Sequence, residues 1–168
     1  MNLKQNDPSA RYELRPIGQV QRQEDGLYLE ITPLNRDGLK QLAHFSHVIV
    51  LWWANQMDTP ENRSTLTCYP PYAPDKLTGV FATRAEYRPN PIGITTCEIT
   101  AIDEEAGIVQ VRNIDAFAGT PILDLKGYFP VCDRVKEASI PDWLDWGIDW
   151  LPDEGMGLYE EYEEATAA

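Results

Sequence analysis

Residues 79–93, GVFATRAEYRPNPIG, place one asparagine between two prolines directly after an arginine, and no other stretch restricts the backbone as tightly. Each proline ring fixes its own φ at about −65° and pushes the residue before it out of the α region. Arg88 and Asn90 are therefore held extended, in a stiff loop that cannot relax into a helix. Stiffness of this kind suits polar side chains that must meet a ligand with little entropy left to lose. The same residues also read as a proline-rich surface turn between two strands.

Around this loop the pattern is one of short strands. Residues 14–20 and 27–32 alternate as a hairpin would, joined across residues 21–26 by a turn with an Asp-Gly pair. Asn35 and Asp37 precede Leu39, Leu42 and Phe45, whose spacing predicts a short helix of two or three turns. Residues 48–53 form an apolar, β-branched and aromatic run expected to be a buried strand. Residues 55–78 read as a long Pro-rich loop, a kind that in compact domains tends to be functional or disordered. A second hairpin is expected from residues 93–102 and 107–114, and a further strand from 122–128. Many short strands with little helix point to an antiparallel barrel or a sandwich. No repeat is present.

A chain of 168 residues suits one domain with a core and a small appendage. Its longest apolar run, residues 48–54, is far shorter than the roughly 20 residues of a membrane-spanning helix. The N-terminal residues lack the apolar core of a secretion signal. Cys68, Cys97 and Cys132 are odd in number and widely spaced, which argues for a reducing, cytoplasmic setting and against a disulfide framework or a zinc site. His44 and His47, the two histidines, add no metal-ligand spacing, and His47 suits a satisfied core group better than an acid-base catalyst.

The net charge of −13 works against nucleic-acid binding, because phosphate contacts supply most of that affinity. Its distribution matters more. From Val135 onward ten acids face Lys136 alone, so residues 135–168 carry −9 and residues 1–134 only −4. Arg63, Lys76, Arg84 and Arg88 are a locally basic set that suits a modest anionic ligand, not a broad duplex footprint. The chain thus divides into a strand-built domain, residues 1–134, and an acidic extension, residues 135–168. In that extension Trp143, Trp146 and Trp150 are spaced to stripe one face of a short helix, either docked on the barrel or at a subunit interface. The tail from Gly157 is expected to be frayed and solvated.

Four pieces in order, RPIG at 15–18, FSHVIVLWW at 45–53, the loop at 79–93 and AGTPILDLKGYFP at 118–130, resemble the TsaA-like (YaeB/TrmO) family. The resemblance covers about residues 14–134. It implies an all-β fold, a small antiparallel barrel. It further implies a homodimer that binds S-adenosylmethionine near its subunit interface without a metal. The family's activity is methyl transfer to threonylcarbamoyl-adenosine in the anticodon loop of tRNA.

Carried over by position, Arg88 matches the arginine associated with the methyl donor, whose fork can grip a carboxylate with two charge-assisted hydrogen bonds. Arg84 is its companion, with a surface ion pair to Glu86 or another surface acid as the plainer role. Asn55 and Gln56 match the polar pair after the central strand. Ala118, Gly119, Thr120 and Pro121 match a DGTP turn whose glycine lets backbone approach the adenosine.

The chain departs from the family in three places. Ala118 replaces the aspartate, Asn55 stands where a histidine is common, and Gln21-Arg22-Gln23 is all that remains of a longer first loop. A sulfonium methyl is already activated, so alignment is the main task, with some group taking the acceptor's proton. Asp115 is the candidate for that role, with capping of the 115–121 turn as its alternative. A module that binds the donor without transfer, or transfer to a different small substrate, remain the alternatives to tRNA methylation.

Overall fold

The computed structural model describes residues 11–144, 150–153 and 155. Among them, eight strands follow in order: β1 Gly18–Gln23, β2 Gly26–Ile31, β3 His47–Trp53, β4 Thr67–Cys68, β5 Thr78–Gly79, β6 Ile92–Asp103, β7 Ile108–Val111 and β8 Pro121–Gly127. Six of them close an antiparallel barrel in the order β1-β2-β7-β6-β3-β8, and β4 pairs with β5 as a separate ribbon. Of the two architectures that short strands allowed, the barrel is the one formed. Two short helices, α1 Pro60–Ser64 and α2 Pro130–Asp133, lie in the connections. No helix among the described residues is long and apolar enough to cross a membrane.

Alternation of side chains builds the core. Val48, Val50 and Trp52 of β3 point inward and are buried, while the residues between them are half-buried on the outer face. Val20, Leu29, Ile31, Cys97, Val109, Val111 and Ile122 complete the interior. Each such side chain contributes on the order of 2 kcal/mol by leaving water. Gly93 lies opposite Trp52 in the β3–β6 ladder, and a Cβ there would overlap the indole. The glycine that ends the proline-stiffened loop thus makes room for Trp52, whose Nε1 donates to the Thr95 hydroxyl at 3.1 Å.

Several sequence expectations are refined. The first hairpin starts later and runs further, so its turn tightens to Glu24 and Asp25, and Leu14 is left exposed. The expected helix over residues 35–45 is instead two 3-10 turns, Pro33–Leu39 and Leu42–His44, split at Gln41 with φ 71°. Its apolar face is nonetheless the one expected, since Leu39 and Leu42 are buried and Phe45 packs edge-on against Phe129. Residues 55–78 are not structureless: they hold a 3-10 turn, α1 and β4. Thr59 caps α1 by accepting from the Asn62 N–H, and Pro60 suits its first turn.

After α2 the chain returns toward the barrel, where the Asn113 side chain donates to the Asp153 carbonyl at 2.9 Å. Trp143 and Trp150 are 41% and 71% exposed, so neither is docked in the core. Trp146, Gly147 and the tail from Gly157 lie outside the described residues, and with them most of the expected Trp-striped helix.

Candidate functional site at one rim of the barrel

The antiparallel ring sends alternate strand ends to one rim. Here lie the β1–β2 turn, the segment leaving β7, the start of β8, the end of β3 and the start of β6. Trp53 pairs with Ile92, and the Ala54 N–H continues the ladder to the Pro91 carbonyl at 2.8 Å. Asn55 and Gln56 therefore emerge beside Asn90 and Pro91, in a 3-10 turn with both amide side chains exposed. Trp52 also pairs with Ile122, which brings the turn at 118–121 to the same rim. The three segments singled out by position in the sequence are thus assembled by the register of three strands.

The stiff loop is braced by arginines. Arg88 Nη2 donates to the Val80 carbonyl at 3.1 Å, and its Nη1 to Ala85 and Thr83 at 3.3 and 3.4 Å. Its fork therefore faces its own loop's carbonyls, a structural use that the expected donor-gripping role did not include. Arg84 is exposed and makes no ion pair with Glu86. Arg63 ties three parts together. Its Nε donates to Asp58 at 2.5 Å, its Nη1 to the Pro89 carbonyl at 3.1 Å, and its guanidinium lies 5.4 Å from the Trp53 ring centroid. The Arg63 hydrogen bond holds the Asp58 carboxyl below the ordinary carboxylate range, and the Trp53 indole N–H adds to that. In the sequence Arg63 was only one member of a basic set; Pro60, which starts α1, was the signal that it stands on an ordered turn.

The opposite side of the rim has its own brace. Arg22 Nη2 donates to the Ile114 and Ala116 carbonyls at 2.8 and 3.0 Å, which pins the segment carrying Asp115. Gly119, at φ 79°, is the turn residue, and its N–H meets the Val20 carbonyl at 2.8 Å. A Cβ at Gly119 would meet nothing within 4 Å, so the glycine serves the left-handed backbone and leaves open space above it. Thr120 is buried, Pro121 is half-buried in the β1–β8 ladder, and Ala118 is exposed.

Asp115 does not cap this turn, which closes through the Thr120 N–H on the Phe117 carbonyl at 3.1 Å. Its carboxyl is reached by solvent on one side and crowded by protein on the others. That crowding raises its pKa, with Arg22 acting in the opposite direction. Glu86, half-buried in the stiff loop, is raised by burial first and by the charge of Asp115 as well, against the pull of its own N–H and Arg88. Burial is thus the first cause of the shift at both carboxyls. The sequence offers Glu86 only as an ion-pair partner for Arg84, and nothing local to it signals its partial burial. Among the described residues no group of three or more His, Cys, Asp or Glu is placed to hold a metal ion.

Comparison with known proteins decides the family. The model of the tRNA-methyltransferase O N-terminal domain matches residues 13–134. The chain belongs to the tRNA-methyltransferase O family. A probable S-adenosyl-L-methionine-binding protein of Archaeoglobus fulgidus is 38% identical over 117 residues, 70% of this chain and 30% of that protein. A tRNA (adenine(37)-N6)-methyltransferase of Escherichia coli is 34% identical over 129 residues, 74% of this chain and 54% of that enzyme. The crystal structure of TrmO from Pseudomonas aeruginosa superimposes with TM-score 0.60 at 28% identity, covering 77% of this chain and 61% of the other. The chain therefore spans less than two thirds of the length of each of these three relatives. The family match ends at residue 134, where the acidic extension begins.

Proposed function

We propose that the chain is an S-adenosylmethionine-dependent methyltransferase that N-methylates adenosine in tRNA, with threonylcarbamoyl-adenosine of the anticodon loop as the intended nucleoside. The observation that carries this reading is the convergence of the Asn55-Gln56 turn, the Arg84–Asn90 segment and the 118–121 turn on one rim, inside a family-matched barrel. Such a convergence supplies fixed amide donors and acceptors, a free cation and open space over a glycine turn.

That rim suits the methyl donor. Exposed Asn55 and Gln56 amides and the open face of Gly119 offer polar and backbone contacts for an adenosine. Arg84, exposed and without an ion pair among the described residues, offers the charge a carboxylate needs. We assign Arg88 to holding the loop that carries Arg84, and through it to donor binding. When bound, S-adenosylmethionine supplies an activated methyl group; the chain's own residues orient the acceptor and provide Asp115 as proton acceptor.

A homodimer is part of this proposal. On the outer face of β3 and β6, Leu51 lies opposite Ile94 and Trp53 opposite Ile92. Ile92 and Ile94 are 38% and 47% exposed, an apolar strip beside the rim that a second copy would cover. The acidic residues 135–168 are proposed as an appended segment separate from the barrel domain, and a cytoplasmic location fits the tRNA substrate.

The test is direct. Purified protein is incubated with methyl-labelled S-adenosylmethionine and total tRNA, and label is expected in tRNA at adenosine. A second reading, binding without transfer, is favoured by the name of the Archaeoglobus relative and by Ala118. Donor retained on the protein with no label in tRNA or in small metabolites would establish it instead.

A further inference from the structure

The β4–β5 ribbon carries an exposed apolar face, and it is built in one piece with the stiff loop. Thr67 pairs with Gly79 and Cys68 with Thr78, and the Val80 N–H extends the ladder to the Leu66 carbonyl at 3.0 Å. Arg88 in turn holds the Val80 carbonyl at 3.1 Å, which ties the ribbon to the loop carrying Arg84. Burial alternates along the second strand. Thr78 and Val80 are buried, whereas Leu77 and Phe81 are exposed, Phe81 at 79%. Register places Tyr69, also exposed, beside Leu77. Between Leu77 and Phe81 stands Gly79, where a Cβ would meet only the Leu66 carbonyl oxygen, at 3.9 Å. The glycine thus leaves a shallow notch between apolar side chains, of the kind an aromatic ring fills. Two exposed cations flank it in sequence: Lys76, whose Nζ is 3.2 Å from Asp75, and Arg84, which has no ion pair among the described residues. Such a face fits a segment that alternates aromatic rings with acids.

The chain carries such a segment and delivers it to this rim. The Asn113 amide donates to the Asp153 carbonyl at 2.9 Å, and the Gly155 N–H closes a turn on the Pro152 carbonyl at 2.9 Å. Gly155 lies so close that a Cβ there would crowd the Asn113 side chain at 3.1 Å. Asn113 lies just past β7 at the site rim, next to Ile114, whose carbonyl Arg22 holds. Residues 156–168 follow from this anchor. They contain Tyr159 and Tyr162, each followed directly by two glutamates, and no lysine or arginine. Extended, they reach about 43 Å. A tilted rim of six strands spaced about 4.8 Å apart is roughly 30–40 Å around, and so little more than about 10 Å across. The segment can therefore cross from Asn113 to the ribbon with length to spare.

We propose that residues 156–168 dock on this chain's own β4–β5 ribbon, with a tyrosine ring in the Gly79 notch and the glutamates against Arg84 and Lys76. Each exposed ion pair contributes little by itself. A short tether, however, holds the segment at an effective concentration on the order of 1 mM, so weak contacts suffice to populate the docked form. Docking is an equilibrium that salt weakens. Resting on the donor-binding reading above, the docked segment covers Arg84, and S-adenosylmethionine must displace it to bind. The acidic extension, which lies wholly beyond the family-matched residues, then sets how readily the rim is loaded.

A nitroxide attached at Ala165→Cys, in the full chain with Cys68→Ser and Cys132→Ser, tests docking without reference to turnover. At low salt it is expected to broaden the amide NMR signals of Leu77, Gly79, Phe81 and Arg84. Salt at about 1 M, where the Debye length falls to about 3 Å, should sharpen them again. Phe81→Ser should sharpen them at low salt. Changing Glu160, Glu161, Glu163 and Glu164 together to glutamine should do the same and tighten S-adenosylmethionine binding about three- to fivefold in calorimetry, because the open fraction rises. Signals that stay sharp at low salt overturn the docking. Broadening that appears only between a nitroxide-bearing copy and a separately isotope-labelled copy gives the segment to a second chain and overturns the arrangement within one chain. Ribbon signals that respond to added tRNA and never to the nitroxide give the face to RNA instead. Docking with donor affinity unmoved by the four glutamines overturns the covering of Arg84. A chain that docks its segment yet binds no donor in either form upholds the docking and refutes the methyltransferase reading.

Discussion

Arg63 and Pro89 are 26 positions apart in the chain and are joined by a 3.1 Å hydrogen bond from the guanidinium to the carbonyl. The same arginine holds Asp58, so a single side chain clamps the end of β3 to the proline-stiffened loop. Arg63→Ala should loosen that loop, weakening S-adenosylmethionine binding by about tenfold in calorimetry. The stability loss should be only about 1 kcal/mol, because the pair is partly exposed. Arg63→Lys should not rescue, since an ammonium cannot serve Asp58 and Pro89 with a planar fork.

Arg88→Ala and Arg84→Ala should separate bracing from contact. Loss of the Arg88 bonds to three carbonyls is expected to increase proteolysis between residues 80 and 90 and to weaken donor binding at least about tenfold without unfolding the chain. Arg84→Ala should weaken binding comparably while leaving protease sensitivity and Tm unchanged, because the side chain is exposed. Unchanged affinity in both variants would remove the loop from the site.

Gly93→Ala and Gly119→Ala should differ in size for a physical reason. The first forces a methyl into the Trp52 indole and should cost about 3 kcal/mol in urea unfolding. The second meets no atom and is penalised only by φ 79°, about 1 kcal/mol.

Thiol labelling should rank the cysteines. Cys97 is fully buried, and burial pushes its thiol up to about 12, so it should react only after unfolding. Cys132, exposed, should react fastest, with Cys68 between them.

Acid should loosen the Arg63 clamp. The Asp58 carboxyl is held below its ordinary 3.8 by the Arg63 hydrogen bond, so its stabilising contribution is complete above that value and is lost as pH falls through the lowered one. Asp58→Asn should remove this part of the acid sensitivity in thermal scans below pH 4, at the cost of lower stability at neutral pH.

The strands and the stiff loop were legible in the sequence because each rests on a local signal: alternating apolar residues for the strands, prolines for the loop. The choice of a barrel over a sandwich, the Asn55-Gln56 pair and the 118–121 turn came from the family resemblance, because no local pattern carries them. What escaped depends on contacts between distant segments. Nothing local to Arg63, Arg22 or Arg88 says that their forks will meet carbonyls elsewhere in the fold, so Arg88 reads as a ligand-binding hook until the loop is seen to close on it. Glu86 reads as a surface ion-pair partner because its partial burial is set by the fold of the loop and not by its neighbours in sequence. The two 3-10 turns before β3 kept the apolar spacing of a helix while the left-handed backbone at Gln41 divided them.

The ring of six strands has one more consequence. With every barrel strand paired on both sides, the sheet leaves no open edge along which another chain could add backbone hydrogen bonds. A second copy must therefore be gripped by side chains across an outer face, and such a dimer can separate without unzipping any β-ladder. The β4–β5 ribbon alone among the described strands keeps unpaired borders, so it is there that a foreign strand could be stitched on.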